Sequence, residues 1–165
     1  MFREITPLTT PDGIVLHSSL EAYKGTREIT LGFQGEEAAS YARFLDDETQ
    51  EDYIISHAEF PELIKIPPYK KSQDCLLVTF SISLLGEDPT ELEIDCVNVY
   101  KHDLTRYKPN PKVGVGSIVT VSYSIRSYEE GDVYRTELPL HAIQVITLKD
   151  DFVHEYGFYR RKPQK

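Results

Sequence analysis

The sequence has no tryptophan, one methionine and two cysteines among its 165 residues. It contains no CxxC, HExxH or HxH motif, which excludes the usual zinc sites. The glycine-rich nucleotide-binding loops and the GxSxG motif of hydrolases are also missing. No apolar run is long enough for a transmembrane helix. These absences favour a binding protein over an enzyme, and we expect no cofactor, no bound metal and no membrane association.

The two cysteines, Cys75 and Cys96, lie in apolar, strand-like surroundings. Residues 1–7 contain an acid and a proline where a signal peptide would have an apolar stretch. Without a secretory signal, both cysteines are expected to be reduced residues of the core. The sequence therefore predicts a cytoplasmic protein, in the host cytoplasm if the source is viral.

Acidic residues outnumber basic ones by 27 to 18, which gives a net charge of −9. Most of this excess lies in residues 36–62, where nine acids and one base give −8. Elsewhere the charges nearly balance, and bases gather in 65–71, 101–112 and the tail 149–165. One acidic segment with several basic loops is compatible with a positive groove, and also with an ordinary mixed surface.

Alternating polar and apolar residues predict a mainly β fold. A turn at 129–132 predicts a hairpin, and Pro139 predicts an edge or a bulge in the last strand. Strands and helices do not alternate, so an antiparallel barrel or sandwich is expected rather than a parallel sheet. The clearest alternating runs are 76–84, 92–98 and 117–125.

One helix is expected within this β pattern, in the acidic segment 36–56. Ala39, Ala42 and Leu45 recur at helical spacing, and two acids occupy the first turn. We expect this side of the helix to pack on the barrel. The acids should then face solvent or a protein partner, far from the basic loops.

The whole chain, 1–165, is expected to form a single domain. Its barrel core should cover about 60–148, with extra strands at the N-terminus. The helix is inserted between these parts, and the basic tail 149–165 follows the barrel.

Five short runs between residues 64 and 145 share a family resemblance. They are Ile64–Pro67, Val97–Val99, Tyr107–Pro109, Gly114–Val121 and Leu138–Val145. A Gly-Ser pair opens one strand, and a Leu-x-Leu-x-Ala-Ile-Gln-Val strand comes near the end. The runs resemble the C-terminal half of bacteriophage single-stranded-DNA-binding proteins of the oligonucleotide-binding (OB) fold.

The resemblance implies a five-stranded OB-like antiparallel barrel with an inserted helix and extra N-terminal strands. It also implies sequence-independent binding of single-stranded DNA in phage DNA replication or recombination. Such phage proteins commonly end in an acidic tail that recruits replication enzymes. This chain ends in a basic tail, so a partner that binds the tail is not expected here.

Tyrosines next to basic residues supply the candidate DNA contacts, in five tyrosine–cation groups expected at strand ends or in loops. Lysine and arginine would contact phosphates, and tyrosine rings would stack on bases. Tyrosine is also a common strand residue whose ring packs in the core, so a structural role stays open for each. The candidate contacts are Lys65, Tyr69, Lys70, Lys71, Tyr100, Lys101, Arg106, Tyr107, Lys108, Lys112, Arg126, Tyr128, Tyr134 and Arg135.

Two other classes of function fit the same sequence. An acidic protein-interaction module or inhibitor would engage a basic host or phage partner through residues 36–62, which could also contact replication proteins. A structural or carbohydrate-binding β-sandwich would instead show a shallow aromatic pocket without a basic rim. A homodimer is compatible with each of these interpretations.

Overall fold

The computed structural model describes residues 3–20, 27–82, 97–108 and 111–149. The strand expected at 92–98 lies outside the described residues up to residue 96, as do Cys96 and the tail from residue 150. The described elements, in chain order, are β1 (Arg3–Thr9), β2 (Gly13–Ser18), β3 (Arg27–Gln34), α1 (Gly35–Glu59), β4 (Ile64–Lys65), β5 (Tyr69–Ser72), β6 (Cys75–Ile82), β7 (Asn98–Tyr100), β8 (Ile118–Glu130), β9 (Val133–Glu137) and β10 (Leu140–Thr147).

Five of the strands form an OB-like, partly open barrel. Strand β3 pairs with β2 on one side and β6 on the other, and β8 pairs with β2 and β10, all antiparallel. Between β6 and the start of β10, the described residues show a single parallel bridge, Ser81 to Pro139. The hydrogen-bonded sheet is therefore not closed. The protein is mainly β with one inserted helix, as the resemblance implied.

The remaining strands extend this barrel, and the sheet is mixed rather than antiparallel throughout. Strands β1 and β9 pair antiparallel with β8, and β5 pairs antiparallel with β6. Two short pairs, β4 with β9 and β7 with β10, are parallel. Parallel pairing requires a long connection between the partners, and tens of residues separate the members of both pairs.

Strand β8 is longer than the predicted run 117–125, and its two halves bind different partners. Its first half pairs with β10 and its second half with β9. The hairpin turn contains Gly131 at φ +64°, a conformation that glycine adopts without strain. The strand structure is then interrupted at Pro139, between β9 and β10, where the sequence predicted an edge or a bulge.

The core lies between the inner faces of the barrel strands and one side of α1. On β6, the inward residues Val78 and Phe80 are fully buried, whereas Thr79 between them is exposed. The N-terminal strands, which the sequence presented as additions, contribute fully buried residues such as Ile29 and Leu31. These strands are thus part of the same packed core.

Helix α1 is one uninterrupted element of 25 residues. Tyr41 fixes it to the barrel, since its ring lies edge-on to Phe33 and Tyr123, with centroids 5.1 and 6.5 Å apart. Ala39, expected on the packed side, is exposed because the buried stripe begins one residue earlier. The buried residues of the helix are Ala38, Tyr41, Ala42, Leu45 and Thr49. No helix in the described ranges is both long and apolar enough to cross a membrane.

Candidate nucleic-acid interface

The outer face of the second and third strands of an OB barrel is where oligonucleotides bind, and here those strands are β3 and β6. Side chains alternate between the two faces of a strand, so the register defines rows across the sheet. One outward row, one residue from each of β8, β2, β3, β6 and β5, is Ile118, Ile14, Gly32, Leu77 and Lys70. This row brings the candidate Lys70 to the edge of the OB face.

Gly32 leaves room for the Leu16 side chain in the middle of that row. A Cβ at this position would lie 2.7 Å from Leu16 Cδ1, so no larger residue fits without moving Leu16. Beside it, the hydroxyls of Thr30 and Thr79 are 2.8 Å apart and hydrogen-bond across the two strands. The outward row through Gly32 and the Thr30–Thr79 pair are therefore uncharged apart from a lysine at one edge.

Lys65 and Tyr69 lie against the acidic helix rather than on the OB face. The Tyr69 hydroxyl donates to the Asp46 carboxylate and lies 3.0 Å from each oxygen. Lys65 Nζ donates to Gln50 Oε1 at 3.0 Å. The expectation that the acids lie far from every tyrosine–cation group is wrong at Asp46, because the side chains of Lys65 and Tyr69 reach the middle of α1.

Charge and burial have opposite effects on the ammonium group of Lys65. Burial lowers the pKa of Lys65, although the nearby carboxylates of Asp46 and Asp47 oppose that shift. Lys71 Nζ lies 5.8 Å from the centroid of the Tyr69 ring, within the range of a cation–π interaction. Tyr69 is thus already held by a carboxylate and covered by a lysine.

We expect Tyr69 to ionise at high pH. Burial, followed by the hydrogen bond to Asp46, raises the pKa of Tyr69 from 10.0 to about 12. Since the folded state holds this proton more tightly, the stability it contributes is complete below pH 10 and is lost as the pH rises towards 12. In a pH titration, the difference in tyrosinate absorbance between the wild type and Tyr69→Phe should have its midpoint near pH 12.

The variant Asp46→Asn serves as the control for that titration. It replaces the carboxylate that accepts the Tyr69 hydrogen bond with a neutral amide, so the Tyr69 midpoint should move part of the way back towards 10.0, while the contribution of burial remains. A wild-type midpoint already at 10.0 would show that the contact does not form in solution.

Tyr134, in the hairpin formed by β8 and β9, belongs to the core. Its side chain is 2% exposed and its ring centroid lies 5.6 Å from that of Tyr53 on α1. The register also places it beside Lys65 of β4. Because the residue is almost fully buried, its ring has no accessible face for a base, and Tyr134 is not part of the proposed interface.

The other hairpin candidates have acidic neighbours. The Tyr128 hydroxyl donates to Glu137 Oε1 at 2.9 Å. Arg135 Nε lies 3.6 Å from Glu130 Oε2 at the exposed end of the hairpin. Arg126 is half-buried and lies opposite Glu137 in the register. The hairpin carries two arginines against four acids, so it is net acidic, which weakens its attraction for phosphate.

The segment 100–108, which we call the basic loop, carries the densest group of candidates. Lys101, Arg106 and Lys108 are exposed, and Lys101 Nζ lies 5.4 Å from the centroid of the Tyr107 ring. Tyr100 and Tyr107 are half-buried and leave part of each ring accessible. This loop combines exposed cations with partly accessible tyrosines, which is what binding to single strands requires.

The basic loop is fixed to the barrel at its base. Tyr100 lies on β7, next to β10, and its backbone forms an isolated antiparallel β-bridge with Arg106. The Tyr107 amide donates to the Val99 carbonyl at 2.9 Å. Lys112, also a candidate, is exposed further along the connection to β8.

Sequence reasoning missed two features of this surface. One is Asp46, whose contact with Tyr69 spans 23 residues and has no local signal. The other is the outward row through Gly32. The glycine within a β-rich run was its only signal, since glycine in a strand indicates close approach of another group. In the described ranges, no three His, Cys, Asp or Glu side chains gather as a metal site would need.

Comparison with known proteins by sequence finds no matching family model and no matching curated protein. Comparison by structure finds gp2.5, a single-stranded DNA binding protein encoded by bacteriophage T7, with a TM-score of 0.68 at 15% identity. The match covers 95% of this chain and 99% of that one.

The single-stranded DNA-binding protein from bacteriophage Enc34 also matches. Its complex with ssDNA has a TM-score of 0.60 at 11% identity, covering 88% of this chain and 89% of that one. A C-terminally truncated form has a TM-score of 0.61 at 10% identity, covering 87% of each chain. The chain therefore has the OB-type fold of phage single-stranded-DNA-binding proteins.

Proposed function

We propose that this protein binds single-stranded DNA without sequence preference. The observation that carries the proposal is the basic loop, which presents Lys101, Arg106 and Lys108 beside two half-buried tyrosines on an OB-like barrel. A neighbour with the same fold was solved in complex with ssDNA, which supports the choice of ligand.

In this proposal, different residues contact different parts of the strand. The cations of the basic loop contact phosphates, which are the same for every sequence. The half-buried rings of Tyr100 and Tyr107 stack on bases, and every base has a face that can stack. Lys70, at the edge of the OB face, extends the phosphate path towards β5.

A fluorescence titration with labelled oligonucleotides of mixed sequence tests this function. We expect binding to a single strand and weaker binding to the duplex of the same length. The logarithm of affinity should fall with the logarithm of salt concentration, with a slope of about −0.7 per phosphate contacted. Equal affinity for both forms, or no binding at low salt, would overturn the proposal.

We place this activity in phage DNA replication or recombination, in the host cytoplasm, as the role of a binding protein and not of an enzyme. Coating of exposed strands needs no catalytic group. The acidic segment 36–62 would then be the surface for replication proteins, and a homodimer would double the length of strand that is covered.

One observation favours the alternative function, an acidic module that binds a basic partner. Ile54 and Ile55 on α1 are 56% and 60% exposed, next to the acids Glu51 and Asp52. Apolar side chains in an acidic surface suit a partner that is both basic and apolar. Absence of oligonucleotide binding in the titration above would favour this alternative.

A further inference from the structure

Leu104 stands out at the tip of the basic loop. It is 69% exposed, the largest exposed fraction among the large apolar side chains in the described ranges. Its backbone has φ +70°, in the left-handed region that residues with a Cβ rarely occupy. An apolar side chain held out in water on a strained backbone suggests a functional role rather than a packing role.

Hydrogen bonds on both sides of the tip hold this conformation. The Leu104 amide donates to the Lys101 carbonyl at 2.9 Å, and the Lys101 amide donates to the Thr105 carbonyl at 2.7 Å. The Asp103 carboxylate accepts the Thr105 amide at 3.0 Å. From β10, Gln144 Nε2 donates to the His102 carbonyl at 3.0 Å. The loop is therefore preorganised, with Leu104 as its projecting side chain.

The charges around Leu104 indicate what it meets. Lys101 and Arg106 flank the tip and both are exposed, and they outnumber its one acid, Asp103, whose carboxylate accepts the Thr105 amide. Cations at these positions attract phosphates on either side of the tip. A leucine between them can bind neither phosphate nor water favourably, and in a bound strand the apolar surface available to it is the face of a base.

We propose that Leu104 is a wedge that inserts between neighbouring bases of the bound strand and separates them. Apolar wedges of this kind separate base steps when leucine, isoleucine or phenylalanine enters the stack. The proposal rests on the proposed function, since it assumes that the basic loop contacts DNA. It adds that the protein unstacks the strand locally rather than only coating it.

The test uses the full chain and the variant Leu104→Asn. Asparagine tolerates the left-handed backbone, so the loop keeps its shape while the apolar side chain is removed. Ile55→Asn is the matched control, because it removes an apolar side chain of comparable exposure on α1, outside the basic loop. Leu104→Met keeps an apolar side chain of similar size and should retain wild-type binding.

Two oligonucleotides distinguish a wedge from other roles. One carries 2-aminopurine in a purine tract, where unstacking raises its fluorescence, and the other has the same length with abasic sites. We expect Leu104→Asn to bind the first about fivefold more weakly and to reduce the fluorescence rise, because an apolar contact is lost. It should bind the abasic strand as the wild type does, since no bases remain to separate.

Unchanged affinity of Leu104→Asn for the stacked strand would overturn the wedge and assign Leu104 to a protein contact. An equal loss on the abasic strand would also overturn it, because the defect would then lie in the loop or its charges. Both results leave single-strand binding by the wild type intact. If the wild type binds neither oligonucleotide, the proposed function fails first and the wedge fails with it.

Discussion

Replacing Tyr134 with alanine should lower the free energy of unfolding by about 3–5 kcal/mol, as expected when a large buried side chain is removed from a core. The ring is 2% exposed and packs against Tyr53 of α1, so its loss leaves a cavity between the hairpin and the helix. Urea denaturation of the wild type and the variant, followed by circular dichroism, measures the change.

The variant Tyr128→Ala is the matched control, because Tyr128 lies on the same hairpin, two residues before the end of β8. Tyr128 is half-buried and its hydroxyl donates to Glu137, so its removal should cost about 1–2 kcal/mol. If Tyr134→Ala kept the stability of the wild type but bound single strands more weakly, Tyr134 would belong to the interface after all.

The strands could be predicted from the sequence because their signal is local. Alternation in 76–82 and 118–125 follows from one face of each strand lying against the core, and the structure contains both strands. The length of α1 was harder to predict, because its second half is weakly amphipathic. A contact from a distant part of the chain holds that half, since the Tyr53 ring centroid lies 5.6 Å from that of Tyr134 on β9.

The candidate site shows the same division between local and distant information. Exposed cations such as Lys101 and Arg106 could be predicted from the sequence, since several basic residues close together in a loop are rarely buried. The burial of each tyrosine could not be predicted in this way, because Tyr107 and Tyr134 both lie next to a basic residue in the sequence. Tyr134 is covered by α1, an element 75 or more positions earlier, and no local pattern reports that contact.

Replacing the three cations Lys101, Arg106 and Lys108 with glutamine should produce the largest loss of single-strand affinity. Each phosphate contact contributes about 0.7 to the salt slope, so three contacts contribute about 2. Between 1 M and 0.1 M salt, a slope of about 2 corresponds to a factor of about 100 in affinity. The variant should therefore approach the wild type at 1 M salt and bind about 100-fold more weakly at 0.1 M.

The comparison across salt concentrations separates direct contacts from other causes. Arg43→Gln removes a positive charge from the exposed face of α1, and should change affinity less than about twofold, because distant charges are screened over about 10 Å at 0.1 M salt. A triple variant whose affinity fell equally at all salt concentrations would have lost loop structure rather than phosphate contacts. One that kept the slope and affinity of the wild type would show that the DNA path avoids the basic loop, since counterion release depends on the phosphates that are neutralised.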